Sequence, residues 1–328
     1  MRLSIFLFLC TVSVLAQAEQ ERESNWRGTP FSSLDRTMQM PQDWKAMPVS
    51  YPEAIADADL VISLGQQTYP ALRSIVEAYA HEHGMKIVIQ SGTCGISAGK
   101  LLRKKVDSGA FCCPPGRNDR LPGLEFHTVA ISPIAIIVNE KNPIEGISVE
   151  QARQVFRGKI HNWSQLMPNT RFDNVIKTVG RLHCKTRPGH WTLLLKDQES
   201  FSPKLTEVGV IPDLVAKVGQ ETYSISLETP FMVKEYDKQS RVKMLKIDGH
   251  SPADIEHVAS GRYPFYRTYN LTTWSDKPEK REQTLALIDY LRDYIERHHQ
   301  QFGFVPLSRL KEAGWVFADG ELVGEPNG

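Results

Sequence analysis

The sequence has little cysteine, no surplus of either charge and, beyond its first residues, no long apolar run. Five cysteines in 328 residues are too few for a disulfide-built scaffold. Lys and Arg total 39 against 38 Asp and Glu, so the basic excess that marks a nucleic-acid binder is missing. No Cys-x-x-Cys-His occurs, which removes covalent c-type haem. Low-complexity tracts and internal repeats are also lacking, and the composition excludes disordered and collagenous classes. What remains is 41% hydrophobic and 23% charged, enough for about two globular domains, each burying its own core.

The first residues read as an address. Leu3 to Leu15 is apolar apart from Ser4, Thr11 and Ser13, follows Arg2, and ends in Ala16-Gln17-Ala18. This is the pattern of a secretory signal peptide, with cleavage expected after Ala18 and loss of Cys10. A membrane anchor is the alternative, but the run falls short of the roughly 20 residues that span a bilayer. Bulky Leu9 before Cys10 argues against lipid attachment there. No second apolar stretch of about 18 residues follows, so the expected product is a soluble exported protein without membrane insertion. It retains Cys94, Cys112, Cys113 and Cys184 in an oxidising compartment, where two disulfides are the plainest expectation.

Residues 19–57 are polar, with weak periodicity, and read as an extended N-terminal arm. From residue 58 strands and helices alternate. Asp59 to Leu64 reads as a buried strand ending at Gly65, and Tyr69 to His83 as an amphipathic helix with Gly84 beyond it. Lys86 to Gln90 is the next strand, Ile96 to Lys105 the next helix, and Ala110 to Cys113 a strand end stopped by Pro114-Pro115-Gly116. Such alternation implies a parallel sheet with helices on its faces. Val129 to Asn139 reads as one long strand leaving the first lobe. Ser148 to Arg157 is a helix with Ser148 as N-cap and Gln151 three residues on. Thr178 to Leu182 and Met244 to Ile247 are further strands, His190 to Lys196 a helix, and Glu279 to Gln300 a long helix. The stretch from Gly95 to Lys100 nears a P-loop but fails it, because Leu101 follows Lys100, which excludes nucleotide hydrolysis. Lys100 and Arg103 read as solvated charges one or two turns along their helix.

Several stretches stand together. Gly65-Gln66-Gln67-Thr68 lies between the first strand and helix, and Ser91-Gly92-Thr93-Cys94-Gly95 opens the second helix. Asn142-Pro143 precedes Phe156-Arg157-Gly158-Lys159-Ile160 and Asn162-Trp163-Ser164; Gly261 to Arg267 and Gly303 to Leu307 complete the set. On these residues, spread over about 58–310, the chain resembles the periplasmic phosphate-binding proteins of ABC transporters. The segment from Phe156 to Trp163 is similar to that family's F-x-G-x-I-x-x-W signature.

The resemblance implies an α/β fold of two lobes, each a mixed, mainly parallel sheet flanked by helices, joined by a hinge of two crossovers near Asn139 and Tyr263. Lobe 1 would comprise 58–138 and 263–320, and lobe 2 would comprise 139–262. It implies a small anionic solute bound between the lobes without chemistry, delivery to an ABC permease, a periplasmic location and a monomer. Independently, a Gly-rich turn entering a helix presents free N–H groups and a positive dipole end to the crevice, which suits an anion.

Against the resembling family, cysteines stand at the ligand positions. Cys94 replaces a hydroxyl residue at a helix start, and Cys112-Cys113 replace polar residues at a strand end. Arg181-Leu182-His183-Cys184-Lys185-Thr186-Arg187 replaces a Ser-Gly-Thr loop. The expected ligand set is therefore Gln66, Gln67, Thr68, Ser91, Gly92, Thr93, Cys94, Gly95, Cys112, Cys113, Arg181, His183, Cys184, Lys185, Thr186 and Arg187. A thiol is a weak donor and degrades a phosphate site. Thiolate and imidazole suit a soft metal ion, Cu(I) or Zn, with Cys94, Cys112, Cys113, Cys184, His183 and His190 as its ligands, or a thiophilic arsenic or tellurium species. One disulfide within lobe 1 is the competing arrangement, since adjacent Cys112 and Cys113 bridge only with strain. A thiol enzyme built on Cys94 or Cys184 with His183 lacks any catalytic-cysteine signature. A sensor or metallochaperone on the same fold stays open beside the transport reading.

Overall fold

The computed structural model describes residues 31–116, 118–168, 171–182 and 190–326. The expected signal peptide and the first part of the arm lie outside them. Lobe 1 begins with strand β1 (Leu60–Gly65), helix α1 (Thr68–Glu82), strand β2 (Ile87–Gly92), helix α2 (Cys94–Leu102) and strand β3 (Ser108–Phe111). Strand β4 (Leu124–Pro133) follows, and the chain then crosses to lobe 2. That lobe holds β5 (Ala135–Asn139), α3 (Val149–Arg157), β6 (Lys177–Gly180), β7 (Thr206–Glu207), α4 (Ile211–Gln220), β8 (Ser224–Glu228), α5 (Pro230–Tyr236) and β9 (Val242–Met244). The return is by β10 (Tyr266–Trp274) and the long helix α6 (Pro278–Phe302).

Both lobes are built on mixed five-stranded sheets. In lobe 1 the order is β2-β1-β3-β10-β4. There β1 runs parallel to β2 and β3, and β10 antiparallel to β3 and β4. In lobe 2 the order is β9-β5-β8-β6-β7. There β6 runs parallel to β7 and β8, and β5 antiparallel to β8 and β9. Parallel and antiparallel pairing are thus evenly mixed in each sheet.

Strand β1 explains how lobe 1 holds together. Alternate side chains point to opposite faces of a strand. Leu60, Ile62 and Leu64 pack with Leu72, Ile75 and Val76 of α1 and with Leu287, Leu291 and Ile295 of α6. Val61, on the other face, joins Leu101, Phe111, Trp274 and Trp44 of the arm. The arm therefore docks on lobe 1: the Trp44 indole donates to the Leu102 carbonyl at 2.7 Å, and Lys104 Nζ donates to the Met47 carbonyl at 2.8 Å.

In lobe 2 the expected cap is present. Ser148 Oγ accepts from Gln151 N at 3.0 Å while Gln151 Oε1 accepts from Ser148 N at 2.8 Å. The helix ends at Gly158, whose φ of 78° is the left-handed conformation that glycine adopts without a steric cost. The helix expected over His190 to Lys196 is a single 3-10 turn, His190–Leu193. Trp191, Leu193, Leu194 and Leu195 are all buried, so this segment has no solvated helical face.

The first crossing falls at Ile134, earlier than the expected position near Asn139. The apolar run from Val129 to Asn139 is two strands, β4 in one sheet and β5 in the other. The second crossing runs alongside it: Ile134 N donates to the Phe265 carbonyl at 2.9 Å, and Tyr263 OH donates to the Ile134 carbonyl at 2.9 Å. Hydrogen-bonded together, the two crossings form the hinge region. The C-terminal residues bridge both lobes, with the Trp315 indole on the Ala259 carbonyl at 2.6 Å and Glu321 paired to Arg120 at 2.7 Å.

Candidate functional site

The loops that follow β1, β2 and β3 open at the carboxyl end of the lobe 1 sheet, where parallel α/β sheets bind ligands. After β1, Gly65 N donates to Thr68 Oγ1 at 2.7 Å, tying the loop into the start of α1. This leaves Gln66 and Gln67 projecting toward lobe 2. The Gln66 side-chain oxygen accepts from the Arg181 guanidinium, which follows β6. The Gln67 amide donates to Glu228 Oε1 at 2.6 Å, while its oxygen accepts from Thr229 Oγ1 and from Tyr269 OH, each at 3.4 Å. Gln67 and Glu228 are each 2% exposed, so this contact between lobes is dry.

After β2, Thr93 caps α2, its Oγ1 accepting from Ile96 N at 3.2 Å. At Gly92 a Cβ would stand 2.8 Å from Cγ2 of Ile96, so any larger residue would force the Ile96 side chain to shift. Ser91, Gly92, Thr93, Gln66 and Tyr69 line one side of an interlobe cavity of about 490 Å³. Val210, Ile211, Pro212 and Tyr236 of lobe 2 line the other. Lys100 and Arg103 sit at the far end of α2, away from this cavity.

Beneath the loops lie the sulfurs. Cys94, the first residue of α2, and Cys112, just past β3, place their Sγ atoms 3.3 Å apart. Gly65 lies beside them: a Cβ there would stand 3.6 Å from Cys94 Sγ, in ordinary van der Waals contact. Cys94 and Cys112 are 5% exposed and Cys113 is fully buried, its carbonyl accepting from Asn270 Nδ2 at 3.2 Å. Arg267 of β10 donates from Nη1 to Cys112 Sγ at 3.1 Å. Burial works against the Arg267 charge, but Cys112, Glu228 and Cys113 together outweigh it and hold its pKa above the ordinary arginine value. Burial likewise pushes the Tyr269 phenol far above its usual range, with Arg267 pulling the other way.

Of the expected set, Gln66, Ser91, Gly92 and Thr93 line the interlobe cavity, while Gln67, Thr68, Cys94, Gly95, Cys112, Cys113 and Arg181 stand near it at strand ends and helix starts but are not in its lining. Arg181 is 6% exposed, with Nε donating to the Gly209 carbonyl at 3.4 Å. His183, Cys184, Lys185, Thr186 and Arg187 lie outside the described residues. His190 opens the 3-10 turn of lobe 2. Among the described residues no group of three His, Cys, Asp or Glu side chains is placed to hold a metal ion. Two central residues were not singled out by sequence reasoning. Glu228 ends a short strand whose five residues are all buried, leaving no alternation to read. Arg267 was visible only as part of a family-like stretch, and the charge of an arginine at that point in a β-rich segment was its one signal.

Residues 49–293, more than half of the chain, match a family model described as a PBP superfamily domain. The phosphate-binding protein PstS of Bacillus subtilis (strain 168) is 23% identical over 270 residues, covering 79% of this chain and 84% of that protein. An ABC-type phosphate transport receptor from Vibrio cholerae matches with a TM-score of 0.60 at 20% identity, covering 75% of this chain and 99% of its own. A candidate substrate-binding protein of a phosphate ABC transporter from Clostridium perfringens, with bound phosphate, matches with a TM-score of 0.63 at 17% identity, covering 75% and 98%. At these identities the structural likeness establishes the two-lobed fold.

Proposed function

The chain belongs to the PBP superfamily, a family of non-catalytic binding proteins, and from that premise we propose that it is a periplasmic solute-binding protein for a phosphate-like oxyanion. Its two lobes close around the anion, and an ABC permease receives it. The observation that carries this reading is Arg181. A guanidinium only 6% exposed stands after β6 of lobe 2 and reaches Gln66 of lobe 1. Arginine binds a tetrahedral oxyanion through paired, charge-assisted hydrogen bonds. The starts of α1 and α2 add backbone N–H groups at the same crevice. The relatives in Bacillus subtilis and Vibrio cholerae, a phosphate-binding protein and a phosphate transport receptor, support the same class of solute. Closure follows from differential affinity: an anion that bonds to both lobes favours the state that brings them together.

A second reading replaces the oxyanion by a thiophilic solute or a soft metal ion, Cu or Zn, for transport, sensing or metal handling. It is favoured by the Cys94 and Cys112 sulfurs, 3.3 Å apart at the edge of the same crevice. Soft cations prefer such donors. Native mass spectrometry of the chain purified without denaturation from its own cells separates the two. The oxyanion reading expects the mass increment of one phosphate-like anion per chain. A folded chain carrying a metal ion and no anion would overturn it in favour of the sulfur reading.

A further inference from the structure

We propose that Cys94 and Cys112 form a reversible disulfide that acts as a redox switch on the crevice; the regulatory half of this proposal rests on the solute-binding reading above. The two sulfurs are 3.3 Å apart and belong to different elements, Cys94 at the start of α2 and Cys112 past β3. Bond formation asks the two sulfurs to close by about 1.3 Å, to the disulfide length of about 2.0 Å. Cys112 and Cys113, adjacent in the chain, have no such freedom.

The surroundings favour reaction. Arg267 donates to Cys112 Sγ at 3.1 Å, and a cationic donor beside a thiol favours the thiolate that attacks disulfides. Cys94 opens a nine-residue helix whose dipole also favours negative charge at that end. Thr93, the neighbour of Cys94, lines the interlobe cavity, and Cys94 and Cys112 are each 5% exposed, so the loops above them must open for an oxidant to enter.

The chemistry is thiol–disulfide exchange with a small-molecule or protein disulfide. One protein thiolate attacks the oxidant's disulfide, forming a mixed disulfide and expelling one thiolate. The second protein sulfur, losing its proton, attacks the first and expels the oxidant's other half. Two protein thiols thereby lose two electrons and two protons, and the oxidant is reduced to two thiols that take them up.

The bond has a consequence for the crevice. It fastens the Gly92-Thr93 loop, which lines the cavity, to the end of β3 beside Arg267. It also removes the sulfur that Arg267 shares its charge with, leaving more positive potential under the loops. The oxidised form is therefore expected to bind inorganic phosphate about tenfold more tightly than the reduced form, the size of effect one charge exerts through a partly polarisable interior.

The test begins with the wild-type chain equilibrated in reduced and oxidised glutathione, alkylated, and mapped by peptide mass spectrometry. The expected result is a Cys94–Cys112 cross-linked peptide that dithiothreitol reverses. A Cys10→Ser/Cys113→Ser/Cys184→Ser variant should form the same bond, and the wild-type map decides the question if that variant fails to fold. Full alkylation of Cys94 and Cys112 at every redox ratio in folded protein would overturn the proposal, as would a wild-type bond from either to Cys113 or Cys184. Phosphate titration of both forms then tests the switch, which equal affinities would overturn. Binding in neither form overturns the solute reading and the regulatory half with it, while the disulfide stands or falls on the cross-link alone.

Discussion

Gln67 of lobe 1 donates its side-chain amide to Glu228 of lobe 2 at 2.6 Å, joining the lobes through two buried side chains. Glu228 also accepts from Thr229 N at 2.7 Å and contributes to the field that keeps Arg267 charged. Removing one member of a buried charged network leaves its partners uncompensated. Glu228→Ala should therefore lower the unfolding free energy by about 3 kcal/mol in denaturant titration. Glu228→Gln, which keeps an acceptor oxygen for Gln67 and Thr229 N but removes the charge facing Arg267, should lose less. Equal losses in the two variants would contradict the assignment of the effect to these contacts.

On the proposed reading, Arg181 is the residue on which anion binding turns. Arg181→Ala should weaken phosphate binding by roughly 10- to 100-fold, the range for losing a charge-assisted hydrogen bond. Arg181→Lys keeps the charge without the planar fork and should fall between the two. Equilibrium dialysis with radiolabelled phosphate measures all three, and unchanged affinity in Arg181→Ala would remove this residue from the site.

The arrangement was unevenly legible in the sequence, for physical reasons. Ser148 and Gln151 announced their helix because a capping box is a contact between near neighbours. Strand β1 announced itself by six consecutive residues buried on both faces and stopped at Gly65. By contrast, the break at Ile134 is hidden, since an apolar run reads alike whether it lies in one sheet or passes between two. An expected lobe 1 disulfide brought Cys94 toward the Cys112-Cys113 pair, but which of the two it meets was out of reach. The convergence depends on β1 lying between β2 and β3, so that the segments following β2 and β3 come together beside the end of β1. Glu228 and Arg267 owe their roles to tertiary burial, which no local pattern encodes.

The capping box gives a prediction independent of the crevice. Ser148→Ala removes the acceptor for Gln151 N and should destabilise the protein by about 1 kcal/mol, with an unchanged denaturant slope. Ser148→Asp supplies another good N-cap acceptor and should recover most of the loss. Urea unfolding of the three proteins measures it, and failure of Ser148→Asp to recover stability would contradict a capping role.

Acid stability follows from His127. Its ring nitrogen Nε2 lies 2.8 Å from Thr273 Oγ1. Burial, with help from Arg292 and against Glu125, holds its pKa down to about 4 from the usual 6.5. The unfolded chain therefore takes up a proton as pH falls below 6.5, while the folded chain resists until about 4. Stability from this group is intact above the unfolded value and falls through that window, by about 3 kcal/mol between pH 7.5 and 4. His127→Gln should lose less across the same interval in urea unfolding; an identical pH dependence in the variant would contradict the assignment.

The central claim is that an oxyanion binds between the lobes and draws on both. Its most direct test is calorimetric titration of the folded, reduced chain with inorganic phosphate, followed by small-angle scattering of the free and saturated forms. The account predicts saturable binding of one phosphate per chain, with saturation favouring the more compact, closed arrangement of the lobes. A folded chain that gives no binding heat with phosphate at any temperature tried, and whose scattering is unchanged by it, would contradict the account.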